Sequence, residues 1–550
     1  MMHLEDPALA AAVARRRTFA IISHPDAGKT TLTEKLLLYG GAINTAGQVM
    51  ARRRARAATS DWMALERERG ISITSTVLQF PYRGFTLNLL DTPGHQDFGE
   101  DTYRTLLAAD SAIMLIDAAK GVEPQTEKLF AICRERGIPL FTFVNKLDRP
   151  SREPLELLDE LERVLGIATY PMNYPLGNGP QFRGVYDRRT RTVHRFERTE
   201  HGATRAPVAL GTLDDPRLRE LCDEETYRAF REGIELLAGA GTGFDREAFA
   251  CGAATPVFFG SAGNNFGIEL FLEGFLELAP PPAGRHATDA ASGEALEVRP
   301  GDERFTGFVF KIQANMDPRH RDRIAFVRIC SGRFARDMSV QNARSGREVR
   351  LSRAMRLFAS ERDAIDEAYA GDVVGVSSPG AFAIGDSLAE GAALAFDPIP
   401  AFAPEHFAAV RSIDTAAYKS FGKGLAQLAE EGAIQLFFST GPQREPILGA
   451  VGELQFEVAK YRLAAEYRVV SEFLPLPFGL IARVEGEPAL VEAATWPASA
   501  RLVLDREGRP VALFESTWSL KLAQEWNPAL HFAPFAAAVP AVPAVQAGAR

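Results

Sequence analysis

Short apolar runs alternate with amphipathic stretches over the first half of the chain. Runs that are apolar almost throughout are typical of strands buried on both faces of a parallel sheet. Such strands are predicted at Thr18–Ser23, Thr86–Leu90, Ser111–Asp117 and Leu140–Asn145. Helical patterns lie between them, so the chain up to Leu278 is predicted to form a doubly wound α/β sheet.

The pattern changes after a proline-rich break at Ala279–Gly284. Strand-like runs such as Thr306–Gln313 and Arg323–Cys330 are then separated by glycine-containing turns, which is typical of a β-barrel. From His406 the patterns of strand and helix mix again and favour a small α+β domain. Helices are predicted there at Lys419–Glu431 and Gly452–Ala465. No internal repeat of fixed period is visible.

Composition narrows the class of protein. The 550 residues are 46% apolar, enough for several ordinary cores, but the longest apolar runs are far too short to cross a bilayer. We expect no signal peptide, since the first residues are acidic and lack an apolar core. The four cysteines form no C-x-x-C pair, which favours a reducing, cytoplasmic location without zinc or disulfides. Because the net charge is −9, any contact with RNA must be local.

An eight-residue segment follows the first predicted strand and opens a helix-like run. It departs from the phosphate-loop pattern G-x-x-x-x-G-K-[ST] only in its first residue, which is Ser. Backbone amides at a helix N-terminus can face phosphates, Lys29 can reach the β- and γ-phosphates, and the Thr30 hydroxyl can bind Mg²⁺. The segment consists of Ser23, His24, Pro25, Asp26, Ala27, Gly28, Lys29 and Thr30.

A second chemical segment ends the strand Thr86–Leu90. A carboxylate at Asp91 can hold Mg²⁺, and the backbone at Gly94 can approach a γ-phosphate. A single His is usually structural, but one that directly follows D-T-P-G is placed to orient the attacking water, and the Asp of that motif lies 62 residues after the phosphate-loop lysine (91 − 29). The segment consists of Asp91, Thr92, Pro93, Gly94 and His95.

A third segment predicts which base the bound nucleotide carries. A carboxylate at the end of strand Leu140–Asn145 can accept hydrogen bonds from the ring imino and exocyclic amino groups of guanine, which adenine does not offer. A following loop after the run Pro256–Phe259 can direct backbone amides at the guanine oxygen. The residues are Asn145, Lys146, Leu147 and Asp148, then Ser261 and Ala262. GTP and GDP are therefore the predicted ligands.

A switch loop is predicted between the first two segments. Arg69–Ile73 lies there, and Ser72 can supply a second hydroxyl ligand to Mg²⁺ while the γ-phosphate is present. Loops of this kind are ordered by the triphosphate and released after hydrolysis.

These segments, in this order, resemble those of the translational GTPases, the family of elongation factors G and Tu. The resemblance covers Met1–Ala395, as a GTPase domain followed by a β-barrel, and His after D-T-P-G is characteristic of the family. Ser72 stands where the elongation factors have Thr, so the hydroxyl is kept. The roles implied are phosphate and magnesium binding for Asp26, Lys29 and Thr30, catalysis for His95, and guanine recognition for Asn145, Lys146 and Asp148, helped by Ser261 and Ala262.

Further segments resemble the bacterial class II release factors, the release factor 3 family. They are residues 61–63 with 69–74, 316–323, 423–433 and 449–456. The resemblance extends from near Ala10 to His531 and leaves out the Ala/Pro-rich tail. After Val470 only 80 residues remain (550 − 470), too few for the two further domains of elongation factor G.

This resemblance implies a ribosome-dependent GTPase that promotes departure of codon-reading release factors after peptide release. The implied partners are the ribosome, through its RNA and proteins, and those release factors; no membrane contact is expected, and a cytoplasmic monomer is implied. The expected fold class is α/β, a P-loop GTPase domain with a parallel sheet, followed by a β-barrel and a small α+β domain. The expected limits are 1–284 (with an insert at 149–260), 285–395, 396–531 and a disordered tail at 532–550.

Two other functions remain open on the sequence alone. One is a different translational GTPase, either a translocase like elongation factor G or a ribosome-protection factor, and the short C-terminal region argues against both. The other is a binding module that uses the nucleotide only to time an interaction. Intact Lys29, Thr30, Asp91 and His95 argue against a protein without GTPase activity.

Charged features outside the three segments have plainer interpretations. The basic run Arg52–Arg56 is either a contact to ribosomal RNA or a solvated loop. Arg15–Arg17 is interpreted as a solvated face. Asp317 and His320 are interpreted as parts of an ordinary barrel loop rather than a metal-ligand pair. The insert contains strand-like runs at Gln181–Tyr186 and Thr192–Phe196 and an acidic helix-like run at Leu213–Leu237, and its role is not predicted.

Overall fold

The computed structural model describes residues 6–42, 74–196, 208–239, 243–314, 323–358, 361–377, 380–441 and 443–535. Several sequence predictions lie outside these ranges. They concern Ser72, the basic run 52–56, residues 61–63 and 69–73, the pair Asp317 and His320, and residues 536–550 of the tail.

A mostly parallel sheet forms the centre of the N-terminal part. Its strand order is β2-β3-β1-β4-β5-β11-β6, and only β2 runs antiparallel to its neighbour. Its strands are β1 Arg16–Ser23, β2 Thr76–Tyr82, β3 Phe85–Asp91, β4 Ser111–Asp117, β5 Leu140–Asn145, β6 Ala168–Pro171 and β11 Ala254–Phe259. Strands β4 and β5 are buried along their whole length, as expected where helices cover both faces.

Helices lie between these strands, and most of them cover the sheet. They are α1 Pro7–Ala14, α2 Lys29–Tyr39, α3 Gly99–Leu107, α4 Pro124–Glu135, α5 Pro154–Leu165, α6 Glu224–Gly239, α7 Arg246–Ala250 and α8 Ile268–Leu278. The exceptions are α1, which packs against the barrel region, and α6, which packs on the sheet of the insert. The carboxyl ends of β1, β3, β4 and β5 meet at one edge of the sheet, which is where ligands bind in open α/β sheets.

A four-stranded antiparallel sheet lies within the predicted insert. Its strand order is β10-β9-β8-β7. The strands are β7 Asn173–Leu176, β8 Gly184–Asp187, β9 Thr192–Phe196 and β10 Val208–Thr212. The strand predicted at Gln181–Tyr186 starts only at Gly184, because Gly179–Gln181 forms a short 3₁₀ helix, a local turn at Gly179 and Pro180.

Short antiparallel strands form the barrel region. They are β12 Arg285–Asp289, β13 Ala295–Val298, β14 Thr306–Ala314, β15 Arg323–Ser331, β16 Arg333–Ala335, β17 Ser339–Asn342, β18 Arg347–Arg350, β19 Ala354–Phe358, β20 Glu361–Ala364, β21 Glu367–Tyr369, β22 Val373–Ser377, β23 Ser387–Ala389 and β24 Leu394–Phe396. Strands β14 and β15 are the longest and pair across a β-bulge, which bends the pair as barrel closure requires.

Buried charges fasten the barrel region to the GTPase part. Arg328 on β15 donates to both carboxylate oxygens of Asp110, at 2.8 and 2.6 Å, and to the carbonyl of Gly371. Both partners are almost wholly buried. Arg16 also donates to Asp372, at 2.7 Å, and Arg17 is buried. The interpretation of Arg15–Arg17 as a solvated face is therefore wrong for two of its three residues, because Arg16 pairs with Asp372 of the barrel region and Arg17 packs over the Phe85 ring.

The C-terminal region is built from two consecutive βαββαβ units that share one eight-stranded sheet. The sheet order is β28-β25-β27-β26-β30-β31-β29-β32, and β26 and β30 join the units. The first unit is β25 His406–Ser412, α9 Tyr418–Glu430, β26 Gln435–Ser439, β27 Pro446–Ala450, α10 Leu454–Tyr467 and β28 Ser471–Leu476. The second is β29 Leu480–Glu485, α11 Pro488–Ala493, β30 Ala500–Leu504, β31 Pro510–Phe514, α12 Thr517–Trp526 and β32 His531–Pro534.

Both faces of this shared sheet are apolar. Each unit packs its two helices over its own cluster, around Leu448 in the first unit and Phe514 in the second. A third cluster contains residues of both units, among them Phe437 and Leu513. Alternate side chains of one strand, such as Leu436 and Phe437, belong to different clusters, as the period of two in a strand requires. The two units therefore form one folding body.

Candidate nucleotide site

A cavity of about 480 Å³ lies where the strand ends converge. Ser23 ends β1, Asp91 ends β3, Asp117 ends β4 and Asn145 ends β5. The cavity is lined by Ser23, His24, Pro25, Asp26, Gly28, Lys29, Thr30, Thr31, Gly94, Lys146 and Arg149. All of these except Thr31 and Arg149 belong to the sequence-predicted site, so the structure brings the first two segments and the start of the third to one place.

The phosphate loop contains a residue in the left-handed (αL) conformation directly before helix α2. Gly28 has φ of +99° and precedes α2, whose first residue is Lys29. A side chain at Gly28 would also meet the Nδ2 atom of Asn145 at 2.5 Å. Asp26, a non-glycine residue, takes a φ of +70°. The loop therefore turns its amides and the N-terminus of α2 toward the cavity, an arrangement that suits phosphate.

Lys29, which lines the cavity, forms a buried ion pair with Asp91 at the end of β3. The Nζ atom of Lys29 lies 2.7 Å from the Oδ1 atom of Asp91, with exposures of 7% and 2%. Thr30 belongs to the same cavity wall. A carboxylate and a hydroxyl beside phosphate-binding amides match the oxygen ligands that Mg²⁺ prefers, so these residues fit the predicted metal. Ser72, the third predicted ligand, lies outside the described residues.

His95 follows the cavity wall directly. Gly94 lines the cavity, and Thr92 fastens the segment by donating its hydroxyl to the carbonyl of Ile21 on β1, at 2.6 Å. The His95 ring contacts Asp97, with Nδ1 3.2 Å from a carboxylate oxygen, and is about one third exposed. It is the N-cap residue of the short 3₁₀ helix Gln96–Phe98, and its neighbour Gly94 lies beside Pro25 of the phosphate loop.

Asn145 links the phosphate loop to the loop at Ser261 and Ala262. Its Nδ2 atom donates to the carbonyl of Ala27 at 2.9 Å, and its Oδ1 atom accepts from the amide of Ala262 at 2.8 Å. The Ala262 amide is thereby engaged, and the Ser261 amide donates to the carbonyl of Phe266. In this structure Asn145 acts as a brace between the two loops.

Asp148, the predicted guanine reader, is oriented by Ser261. The Ser261 hydroxyl donates to Oδ1 of Asp148 at 2.6 Å. The other carboxylate oxygen can then accept from a ligand. Leu147, between the two polar readers, is buried, and its amide donates to the carbonyl of Gly260. The predicted base-reading residues therefore form a connected group.

Sequence reasoning missed two residues beside the cavity. Asp117 accepts from Lys146 Nζ at 2.8 Å and from the amide of Ala119. Burial alone would raise the pKa of Asp117, but these hydrogen bonds outweigh it and hold the pKa below its ordinary value. Arg149 is exposed and lines the cavity. The position of Asp117 at the end of a buried strand was a usable signal, whereas Arg149 had none beyond its neighbours.

Comparison with known proteins assigns each part of the chain. Residues 14–281 match the sequence model of the elongation factor Tu GTP binding domain. Residues 304–391 match that of elongation factor G domain 2. Residues 396–524 match that of the class II release factor RF3 C-terminal domain. The last match distinguishes this chain from a translocase.

Proteins of similar sequence align with this chain over nearly its whole length. Proteins named peptide chain release factor 3 from Gloeobacter violaceus and Synechocystis are both 58% identical to this chain. The alignments cover 96% and 92% of this chain and 99% and 92% of those proteins. The chain belongs to the release factor 3 family. As a member of this family it is a translational GTPase of termination, and the fold class expected from its sequence is confirmed.

A solved structure supports the architecture of this release factor 3 member. A crystal structure of a protein from Thermus thermophilus superposes with a TM-score of 0.67 at 25% identity, covering 90% of this chain and 73% of that one. In the part of the chain that the structure describes, no helix has the length and apolar character needed to span a bilayer.

Proposed function

We propose that this protein binds GTP and GDP in the cavity at the strand ends and hydrolyses GTP there. The phosphate loop with Lys29 holds the phosphates, and Asp148 with Asn145 and Lys146 holds guanine. Thr30, Asp91 and Ser72 would hold Mg²⁺, which when bound neutralises charge on the β- and γ-phosphates. The full set is Ser23, His24, Pro25, Asp26, Ala27, Gly28, Lys29, Thr30, Asp91, Thr92, Pro93, Gly94, His95, Asn145, Lys146, Leu147, Asp148, Ser261 and Ala262.

His95 is the proposed catalytic residue. It follows the Gly94 cavity wall, where a γ-phosphate would approach, and its ring can orient the attacking water. Phosphoryl transfer depends mostly on positioning and charge stabilisation. Because one third of the His95 side chain is exposed, ordering by the ribosome is the expected source of stimulated hydrolysis.

On the ribosome, the GTP form promotes departure of a codon-reading release factor after peptide release, and hydrolysis frees the protein itself. The observation that carries this proposal is the match of residues 396–524 to the class II release factor C-terminal domain beside an ordered GTPase site. We further propose a cytoplasmic monomer with domain boundaries at residue 284 and just after strands β24 and β32, rather than at residues 395 and 531, which lie inside those strands.

The direct test follows a labelled codon-reading release factor on post-release ribosomes. Departure is timed with GTP, with GDP, and without the protein. We expect acceleration only with the protein and GTP together. If the rate at which the labelled release factor leaves the ribosome is unchanged while the ribosome still stimulates GTP hydrolysis, the proposed termination role is wrong but the proposed GTPase activity is retained.

A poly(Phe) synthesis assay without elongation factor G tests the alternative. Restored synthesis would assign the chain to translocation. We expect none, since the C-terminal region matches a release factor domain.

A further inference from the structure

One carboxylate joins His95 to the C-terminal region. Asp97 lies two residues after His95, and its Oδ1 atom is 3.2 Å from the His95 Nδ1 atom. Its Oδ2 atom accepts a 3.0 Å hydrogen bond from the amide of Leu454, the first residue of α10. The two partners of this carboxylate are 359 residues apart in sequence (454 − 95), and only 13% of the Asp97 side chain is exposed.

The turn before α10 is shaped to receive Asp97. A side chain on Gly452 would meet three Asp97 carboxyl atoms at 2.1 to 2.5 Å. Gln455 holds the turn by accepting from the amides of Val451 and Gly452, at 2.7 and 3.3 Å. The partial positive charge of a helix N-terminus favours a carboxylate at this point.

The helix after His95 is held by the same region at a second point. Arg104 on α3 donates to the carbonyl of Gly432, in the turn after α9, at 3.3 Å. Asp101 on α3 faces Lys311 of the barrel at 3.9 Å and accepts from the amide of Ser75 at 2.9 Å. The segment carrying His95 is therefore tied to both the C-terminal region and the barrel.

We propose that Asp97 is a positioning residue for His95 and that it acts only while the N-terminus of α10 is docked on its carboxylate. The proposal rests on the catalytic role given to His95 above. It makes GTP hydrolysis responsive to the placement of the C-terminal region, which is the part that distinguishes this family from other translational GTPases.

The backbone of Asp97 orients the His95 ring. Its amide donates to Nδ1 of His95 at 3.3 Å, so the ring proton lies on Nε2, which can donate to the attacking water. The Asp97 carboxylate holds this geometry by accepting from the Leu454 amide, a charge-assisted hydrogen bond at a helix N-terminus. If α10 withdraws, the Leu454 amide no longer fixes the carboxylate, and the ring loses its orientation.

The first test replaces Asp97 by Asn. In D97N the neutral side-chain carbonyl can still accept from Leu454, but the charge-assisted bond to the N-terminus of α10 is lost, so the backbone that holds the His95 ring is fixed less firmly. We expect ribosome-stimulated kcat to fall about 10- to 100-fold, as outer-shell partners typically require, while GTP affinity and KM stay within about twofold. Wild-type kcat in D97N would show that Asp97 only anchors the helix and would overturn the proposal.

The second test displaces the Asp97 carboxylate by changing the turn before α10 that receives it. Gly452→Ala displaces Asp97 without touching His95, and we expect it to lower stimulated kcat with unchanged GTP affinity. Gly422→Ala on α9 is the matched control, because an added Cβ there meets nothing within 4 Å. We expect G422A to match wild type. Equal turnover in G452A and G422A would contradict the docking requirement.

A double variant separates this proposal from the proposed function. D97N in a His95→Ala background should lower turnover no further than His95→Ala alone, since coupled residues are not additive. A full further loss would show that Asp97 acts independently of His95. If His95→Ala itself keeps wild-type turnover, both proposals fail; if it is inactive while D97N is normal, only the present one fails.

Discussion

Gly28 occupies the tightest point of the nucleotide cavity. Its φ of +99° and the 2.5 Å approach of Asn145 leave no space for a side chain. We expect Gly28→Ala to weaken GDP binding by about 100-fold or more, equivalent to roughly 2.7 kcal/mol, as measured by titration with a fluorescent GDP analogue.

Gly41→Ala is the matched control for this prediction. Gly41 also has a positive φ, +72°, but an added Cβ would meet nothing within 4 Å. The control therefore carries the backbone strain without the collision, and its GDP affinity should stay near wild type. Equal weakening in both variants would show that strain, and not the close approach, matters.

Asn145 should matter more as a brace than as a direct ligand. Asn145→Ala removes two buried hydrogen bonds and leaves the Ala27 carbonyl and Ala262 amide without this partner. At about 1–3 kcal/mol for each stranded group, we expect a loss of GDP affinity of roughly 100-fold or more. Ser261→Ala removes one hydrogen bond to Asp148 and should cost about tenfold. Calorimetric titration of both variants would contradict the bracing role if their order were reversed.

At the residue scale, the nucleotide-site residues that belong to short sequence motifs were predicted from the sequence. It did not predict Asp97, because its partner Leu454 lies 357 residues away and neither residue stands out locally. Arg149 was passed over as the start of an insert. Motifs record local chemistry, whereas contacts between distant segments appear only once the chain is folded.

Helices α9 and α10 are joined by a buried charge cluster at the element scale. Arg462 on α10 is 2% exposed and donates to Glu431 at 2.8 and 3.1 Å and to Glu466 at 2.6 and 3.1 Å. Arg462→Leu leaves buried carboxylates without their cation, so we expect a loss of about 3–5 kcal/mol of stability. Lys460→Leu on the same helix, at an exposed position, is the control.

The loss in Arg462→Leu should depend on pH. Burial raises the pKa of the Glu431 carboxyl above its ordinary value. The Arg462 cation opposes this rise, so its removal raises the pKa of Glu431 further. A group with the higher folded-state pKa gains more from protonation, so lowering the pH stabilises the variant more than the wild type. The gap in melting temperature between variant and wild type should narrow from about pH 8 to about pH 5. A constant gap would contradict this.

The bounds of a strand were predicted correctly where the sequence carries a single clear hydrophobic pattern. Ser111–Asp117 and Leu140–Asn145 are confirmed to the residue, because buried parallel strands are continuous apolar runs in sequence. The helical pattern predicted at Leu213–Leu237 was less accurate. It is broken by Asp215-Pro216, where a 3₁₀ turn forms, and the helix begins only at Glu224.

At the scale of the whole molecule, Arg328 and Asp110 are a principal tie between the barrel and the GTPase part. Arg328→Leu should destabilise the protein by about 3–5 kcal/mol, since it strands a buried carboxylate. Adding Asp110→Leu should restore a large part of this loss. Thermal unfolding of the four proteins of this cycle measures the coupling; additive losses would show that the pair does not act as a unit.

The duplicated C-terminal units were invisible as a repeat. Equivalent strands begin 74 residues apart at one end (His406 and Leu480) but 60 apart at the other (Ser471 and His531). A search for a fixed period fails when loops differ in length, although the order of elements is the same. Residues 471–535, which the sequence left without predicted elements, form the last strand of the first unit and the whole second unit.

The shared sheet also sets an order of events during synthesis. The cluster around Phe437 and Leu513 is formed by strands of both units. In a nascent chain that ends near Leu476, the apolar side chains of Phe407, Phe437 and Ile447 therefore remain exposed to solvent. The GTPase part can close long before this, since domains fold as units in order of emergence. A nascent chain should therefore bind GDP well before its C-terminal half is safe from aggregation, and chaperones should engage it in that interval.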